Sequence, residues 1–331
     1  GAEWAAQRIK GLSLSTVIVS ALLGTKKGKA QIKTLVDCFD YPKTGAGLVY
    51  EKMAKSLADC GTLIELSTAA TVLNRKGNRI ISVEGKGREG LKTVEVEHLF
   101  SSIPLTEFVM RLMPHAPDDI LEAARALYYR DHITVNLILN RRAIFPDNWI
   151  YVHSPEVRMA RITDYGNFSE FMLADKMRTC IAVEYFVFAH EELWSSEDKD
   201  VIELAISELN RVGLVKPHEV IDGFVVREKD SYPVYYVGHR PLFDLIKAYV
   251  DTLENVTLIG RGGMYKYNNQ DHSILTGLLA ARKYYGEMHD IWEINTDEEY
   301  LEEKQLPTPI HAGNPPNATT GRVTSSGSPR L

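Results

Sequence analysis

Two hydrophobic periods share the chain, and the changes between them mark out its elements. A period near two, rich in β-branched and aromatic residues, predicts strands over 63–73, 79–83, 93–96, 132–139, 149–152 and 256–259. The apolar and aromatic run 180–190 is expected to be a central strand. A period of 3.6 predicts helices over 49–59, 117–126 and 198–212, the last repeating Val201, Leu204, Ala205, Glu208 and Leu209. Asp118 and Asp119 enrich the first turn of the second of these. Near the start, Ile9, Leu12, Val17 and Leu22 mark helix-compatible stretches before a Lys- and Gly-rich loop at 24–29.

The densest signal lies at 256–283, where a short apolar strand meets a glycine-rich turn, a polar elbow and a helix. Ile274, Leu275, Leu278, Leu279 and Ala281 recur with helical spacing, and Asp271 or Ser273 suits the N-cap. Such a turn aims backbone N–H groups and the positive helix end at an anion. Gly260, Gly262 and Gly263 lack a Cβ, which leaves room for a ligand against the backbone. Arg261 adds a forked cation suited to a phosphate. On the residues alone, a plain turn accounts for the same stretch equally well.

A second glycine run, Gly85-Lys-Gly-Arg-Glu-Gly90, spells GxGxxG but leads into the alternating strand 93–96 rather than a helix. The dinucleotide fingerprint needs a helix N-terminus directly after its last glycine, so this run is read as a hairpin loop. The composition is that of a globular protein, with 331 residues, 44% hydrophobic, 25% charged and a formal net charge of −6. No basic stripe argues for nucleic-acid binding. Cys38, Cys60 and Cys180 form neither a zinc pattern nor a disulfide framework, which favours a reducing, cytoplasmic setting. The ten histidines show no metal spacing, and neither a GxSxG elbow nor a P-loop is present. The longest apolar run, near 17–23, is well short of the roughly 20 residues a membrane helix needs. The opening Gly-Ala-Glu-Trp reads as if in mid-protein, and the Pro-, Ser- and Gly-rich stretch from 306 on is expected not to fold.

Gly260-Arg261-x-Gly263-x-Tyr265-x-Tyr267-Asn268-Asn269-x-Asp271 resembles the C-terminal flavin-contacting signature of the UDP-galactopyranose mutases. It is similar also to that of their relatives in the FAD-dependent amine oxidase and protoporphyrinogen oxidase superfamily. The resemblance implies FAD as cofactor, contacted by Gly260, Arg261, Gly263, Tyr267, Asn268, Asn269, Gln270 and Asp271. Tyr41-Pro42-x-x-Gly45-x-Gly47 resembles a segment that opens a helix near the isoalloxazine ring, which adds Pro42 and Gly45. Ala70 stands where relatives approach the adenine side through a backbone group, usually from a Val. Ser102, in the stretch 100–104, matches the crossover strand that returns beneath the cofactor.

On the substrate side, Arg161 matches an arginine that reaches a nucleotide diphosphate in the mutases, and Tyr232 and Tyr235 match a Tyr-Pro segment lining the flavin. Without the resemblance, Arg161 reads as a solvated loop residue and the tyrosines as half-buried packing. No catalytic residue and no metal ligand is implied.

The expected architecture is α/β, a Rossmann-like FAD-binding domain lacking its N-terminal GxGxxG unit and interrupted by an α+β substrate domain. Its divisions are 1–104 and 241–295 for the FAD domain, 105–240 for the substrate domain, and 296–331 for an acidic and then unfolded tail. The function implied is an FAD-dependent oxidoreductase acting on a small organic substrate. A flavin-dependent mutase of a nucleotide sugar is the alternative, and a non-catalytic binding protein on the same fold the third reading.

Overall fold

The computed structural model describes residues 38–295 and 320–324. The helix-compatible stretches expected before residue 38 lie outside the described residues. In chain order the first elements are β1 (Cys38–Pro42), α1 (Gly47–Asp59), β2 (Ala69–Lys76), β3 (Arg79–Gly87), β4 (Gly90–Glu95) and β5 (Leu99–Ser101). Next come α2 (Leu105–Met110), β6 (Leu112–Met113), α3 (Asp118–Ala126), β7 (Tyr129–Leu139), β8 (Trp149–Tyr151), β9 (Arg161–Asp164) and α4 (Tyr165–Phe168). They are followed by β10 (Thr179–Val187), α5 (Glu192–Ser195), α6 (Asp198–Arg211), β11 (Val220–Pro233) and α7 (His239–Val250). The described chain ends with β12 (Val256–Leu258), α8 (Gly260–Gly263), α9 (Gln270–Tyr284) and β13 (Thr320–Thr324).

The described residues form two compact units, one of 66–128 and 232–295, the other of 38–65, 129–231 and 320–324. In the first unit, a four-stranded sheet runs β4-β3-β2-β6 and a parallel pair joins β12 to β5. The GxGxxG run is indeed a hairpin: β3 and β4 are antiparallel, Gly87 stands opposite Gly90, and Gly90 takes φ +106°. A side chain would strain that backbone, which is why glycine sits there. The strand expected from residue 63 starts only at Ala69, because Ser67 turns into the left-handed region at φ 54° and breaks the extended run. Asn255 holds the sheet to the parallel pair: it accepts from Ile80 N–H at 2.9 Å and donates to Ile80 O at 2.8 Å and Glu97 O at 3.0 Å.

The second unit is built on a five-stranded sheet in the order β11-β7-β10-β9-β8. β10 is antiparallel to both β7 and β9, so the aromatic run lies in the middle of the sheet as its composition implied, ending at Val187. Alternation sends Ile133, Val135, Leu137, Ile181, Val183, Tyr185 and Ile162 to one buried face, where Val201, Ala205 and Leu209 of α6 pack. Cross-strand register puts Asn136, Ala182 and Thr163, and likewise Thr134, Glu184, Arg161 and Tyr151, on the other face. That face is polar and aromatic.

β13 pairs antiparallel with β1, from Cys38 opposite Thr324 to Pro42 opposite Thr320. These five tail residues are therefore a strand, contrary to the expectation of an unfolded tail; the β1 edge supplies the backbone partners that their own composition could not. The rest of the tail lies outside the described residues.

Candidate functional site

In the first unit the elbow after β12 is a single helical turn, α8, rather than an open loop. Gly260 begins it with φ +72°, a left-handed backbone that favours glycine, and its N–H donates to Thr276 Oγ1 of α9 at 2.9 Å. Gly262 and Gly263 serve a close approach of main chains. A Cβ on Gly263 would stand 2.5 Å from Ser101 O and one on Gly262 3.0 Å from Ser102 O. The room expected for a ligand at these two glycines is taken by the protein's own 101–104 segment. Ser102 itself lies against Gly260.

Asn268 closes the elbow from inside. Its side chain is buried, donates to Gly260 O at 3.2 Å, and its backbone carbonyl accepts from Arg261 Nε at 2.7 Å. With Nε so held, the Arg261 guanidinium lies 4.6 Å from the centre of the Tyr232 ring, in cation–π geometry. Tyr267 stands edge-on to Tyr235 with ring centres 5.1 Å apart, and 6.1 Å from Tyr232. Tyr235 is anchored through its hydroxyl to Tyr265 O at 3.1 Å and stacks on His239 at 4.7 Å. Two stretches separated by some thirty residues, each singled out in the sequence, thus meet in one aromatic cluster around a cation.

The helix after the elbow begins at Gln270, with Asn269 as its N-cap. Neither Asp271 nor Ser273 caps it; Asn269 N–H donates to His272 Nδ1 at 3.2 Å in a capping-box arrangement. That bond needs a bare Nδ1, and burial holds the His272 pKa below its ordinary value, with Lys266 adding to the shift and Asp271 opposing it. Asn269 and Gln270 are exposed at the positive end of this 15-residue helix, with Asp271 half-buried beside them.

Ala70 and Ser102 lie in the same unit as the elbow. The Ala70 carbonyl accepts from Arg111 Nη1 at 2.6 Å, at a register shift in β2. Pro42, Gly45 and Arg161 belong to the second unit. Gly45 takes φ +101° in a turn closed by its N–H to Pro42 O at 3.0 Å, and Ser169 Oγ donates to Lys43 O at 2.6 Å beside it.

Arg161 is not a loop residue; it opens β9, opposite Glu184 of β10. Its Nε donates to both Glu184 oxygens at 2.9 Å and its Nη2 reaches Oε2 at 2.5 Å. His132 Nε2 meets the same Oε2 at 3.1 Å, and the guanidinium carbon lies 5.9 Å from the centre of the Tyr151 ring. Burial pushes the Glu184 carboxyl upward, but hydrogen bonds and charge from His132 and Arg161 outweigh it and keep its pKa low. Glu184 and His132 escaped the sequence reading because only the antiparallel register brings them to Arg161. Among the described residues, no group of three His, Cys, Asp or Glu side chains stands close enough to hold a metal ion, and no helix is long and apolar enough to cross a membrane.

No family model and no curated protein sequence matches the chain. Solved structures do match, and what they share with this chain is an α/β fold in which parallel and antiparallel sheets are combined. The reduced form of UDP-galactopyranose mutase superposes with a TM-score of 0.72 at 16% identity, over 89% of this chain and 61% of that one. A protein from Exiguobacterium sp. 255-15 described as a protoporphyrinogen oxidase matches at TM-score 0.51 and 18% identity, over 67% and 48% of the two chains. An oxidoreductase from Methanosarcina mazei matches at TM-score 0.51 and 10% identity, over 72% and 54%. These identities make the likeness one of fold. The chain spans 61% of the mutase and about half of the other two, 48% and 54%. The fold agrees with the superfamily that the elbow motif resembles.

Proposed function

We propose that the chain is part of an FAD-dependent oxidoreductase acting on a small organic substrate. The observation that carries this reading is the meeting of Arg261, Tyr232, Tyr235 and Tyr267 in one cluster beside the N-terminus of α9. FAD joins a flat ring to a diphosphate, and the residues fit such a group in part. Arg261 offers a fixed positive charge, Asn269 and Gln270 stand exposed at the positive end of α9, and the tyrosines bring aromatic surface beside them. Gly262 and Gly263 do not fit as a cradle, because Ser101 and Ser102 already fill that space. Nor do the 331 residues contain a GxGxxG turn that opens a helix.

When bound, the flavin supplies a two-electron acceptor. The protein's own part is to orient that group: Arg261 is fixed by Asn268 and Tyr232, and Tyr235 is pinned by its hydroxyl. The test is a titration of the protein with FAD, read by quenching of flavin fluorescence, on the native sequence and on Arg261→Ala. Saturable quenching that Arg261→Ala weakens supports the reading. No quenching at any FAD concentration would leave the non-catalytic binding protein as the better account.

A mutase of a nucleotide sugar is the second reading, favoured by the 0.72 TM-score over 89% of this chain and by Arg161 on the polar face of the five-stranded sheet. There Arg161 would hold the diphosphate as a planar, always-charged donor. Conversion of UDP-galactopyranose under reducing conditions, abolished by Arg161→Ala, is the expected result. Activity indifferent to that substitution would remove Arg161 from the site.

A further inference from the structure

The polar face of the five-stranded sheet carries a charged triad that a role in stability does not explain. Glu184 leaves 7% of its side chain exposed and lies on the central strand, yet it carries a carboxylate rather than an apolar group. A buried ion pair of this kind contributes little to net stability compared with well-packed apolar residues, since both charges must leave water. What it does provide is orientation. Arg161 is gripped on its Nε edge by both oxygens of Glu184, and Glu184 is itself held from β7 by His132 Nε2 at 3.1 Å. Three adjacent strands therefore fix one guanidinium, which keeps 26% of its side chain exposed.

We propose that Glu184, buttressed by His132, is the positioning residue that aims Arg161 at the phosphates of a nucleotide ligand. The inference rests on the reading of Arg161 as a phosphate-binding residue. It makes a claim opposite in sign to simple electrostatics. A carboxylate about 3 Å from Arg161 repels a phosphate, so its removal by charge alone would tighten binding. If instead Glu184 positions the fork, its removal lets the guanidinium swing among rotamers and the phosphates lose their paired donors.

The experiment is calorimetric titration of the protein with UDP and, separately, with uridine, which lacks the phosphates. Arg161→Ala is expected to weaken UDP and leave uridine unchanged. Glu184→Gln, nearly the same in shape, is expected to weaken UDP about tenfold while uridine stays unchanged. In an Arg161→Ala background Glu184→Gln no longer weakens UDP, because there is no guanidinium left to position and only the relief of repulsion remains. If Arg161→Ala leaves UDP affinity intact, the reading of Arg161 fails and the inference with it. If Arg161→Ala weakens UDP but Glu184→Gln leaves it unchanged or tightens it, the positioning role alone is overturned and Arg161 keeps its assignment. A fall in uridine affinity equal to that for UDP would mark Glu184 as structural only and overturn the proposal. Where Glu184→Gln does not fold, His132→Leu decides, because it removes the hydrogen bond to Glu184 and keeps an apolar side chain of similar bulk against Phe186. UDP about threefold weaker with uridine unchanged supports the role, and unchanged UDP refutes it.

Discussion

The methylene of Gly263 faces the carbonyl oxygen of Ser101 so closely that a Cβ there would stand 2.5 Å from it. The glycine is thus required by the packing of α8 on the end of β5, both parts of the first unit. Gly263→Ala is expected to destabilise the protein by about 1–3 kcal/mol, since a backbone carbonyl cannot swing aside as a side chain can. Gly277, within α9, has only Ile259 Cδ1 at 3.9 Å from such an atom. There alanine relieves the entropic cost of a helical glycine, and Gly277→Ala should stabilise by about 0.5–1 kcal/mol. Urea midpoints of the two variants check this; a shift of the same sign in both would contradict it.

Asn255 carries more of the first unit than its single side chain suggests. Its three bonds satisfy both backbone groups of Ile80 and the carbonyl of Glu97. Asn255→Ala leaves buried polar groups without partners, at a cost of roughly 2–4 kcal/mol. Asn255→Asp keeps the acceptor for Ile80 N–H and loses both donors, so it should be nearly as damaging. An Asp variant as stable as the native protein would show that the two donated bonds contribute nothing.

Stability should fall in mild acid through His272. Burial lowers its folded pKa below the unfolded value of about 6.5, so the neutral ring is the one that fits the fold. Above about pH 6.5 both folded and unfolded states are neutral here and the contribution is complete. As the pH drops below that, the unfolded chain takes up the proton first, and stability is lost until the folded pKa is passed. Protonation also puts a hydrogen on Nδ1, where Asn269 N–H now donates. Denaturant midpoints at pH 8 and pH 5 should therefore differ more for the native protein than for His272→Gln. Parallel pH profiles would rule the residue out.

The regular elements were legible because they obey a period. β7 and α6 carry long runs of 2.0 and 3.6, and their burial agrees with them, while β10 was legible as an unbroken apolar and aromatic run. α9 forms where the 3.6 spacing placed it, but it buries His272, Thr276 and Ala280 and leaves Leu278 exposed, so its buried face is not the apolar one. The GxGxxG run was legible as a hairpin because the residues after Gly90 alternate. The parts that the sequence hid are non-local. Nothing near Gly262 or Gly263 announces Ser101, which is brought there by the parallel pairing of β5 with β12. Nothing near Arg161 announces Glu184, 23 residues on, or His132 on the far side of β10. The N-cap lies two to four residues before the expected Asp271 or Ser273, which have the right chemistry, because the backbone becomes helical already at Gln270. The meeting of Tyr232 and Tyr235 with Arg261 was legible only through the resemblance, and it depends on a chain reversal that no local pattern encodes.

That meeting yields the last prediction. Arg261 is held on one side by Asn268 O at 2.7 Å and on the other by the Tyr232 ring, 4.6 Å away. Lysine keeps the charge but has neither the planar fork nor a fixed Nε, so it cannot make both contacts at once. Arg261→Lys should therefore weaken FAD binding by about tenfold, close to the loss in Arg261→Ala. Tyr232→Ala removes the ring beneath the guanidinium, and a cation–π contact of about 0.5–1 kcal/mol corresponds to a loss of about two- to fivefold. The order of affinities, native above Tyr232→Ala above Arg261→Lys, is read from fluorescence titration at fixed salt. If lysine binds FAD as well as arginine does, charge alone accounts for the residue, and the orientation that Asn268 and Tyr232 impose has no part in binding.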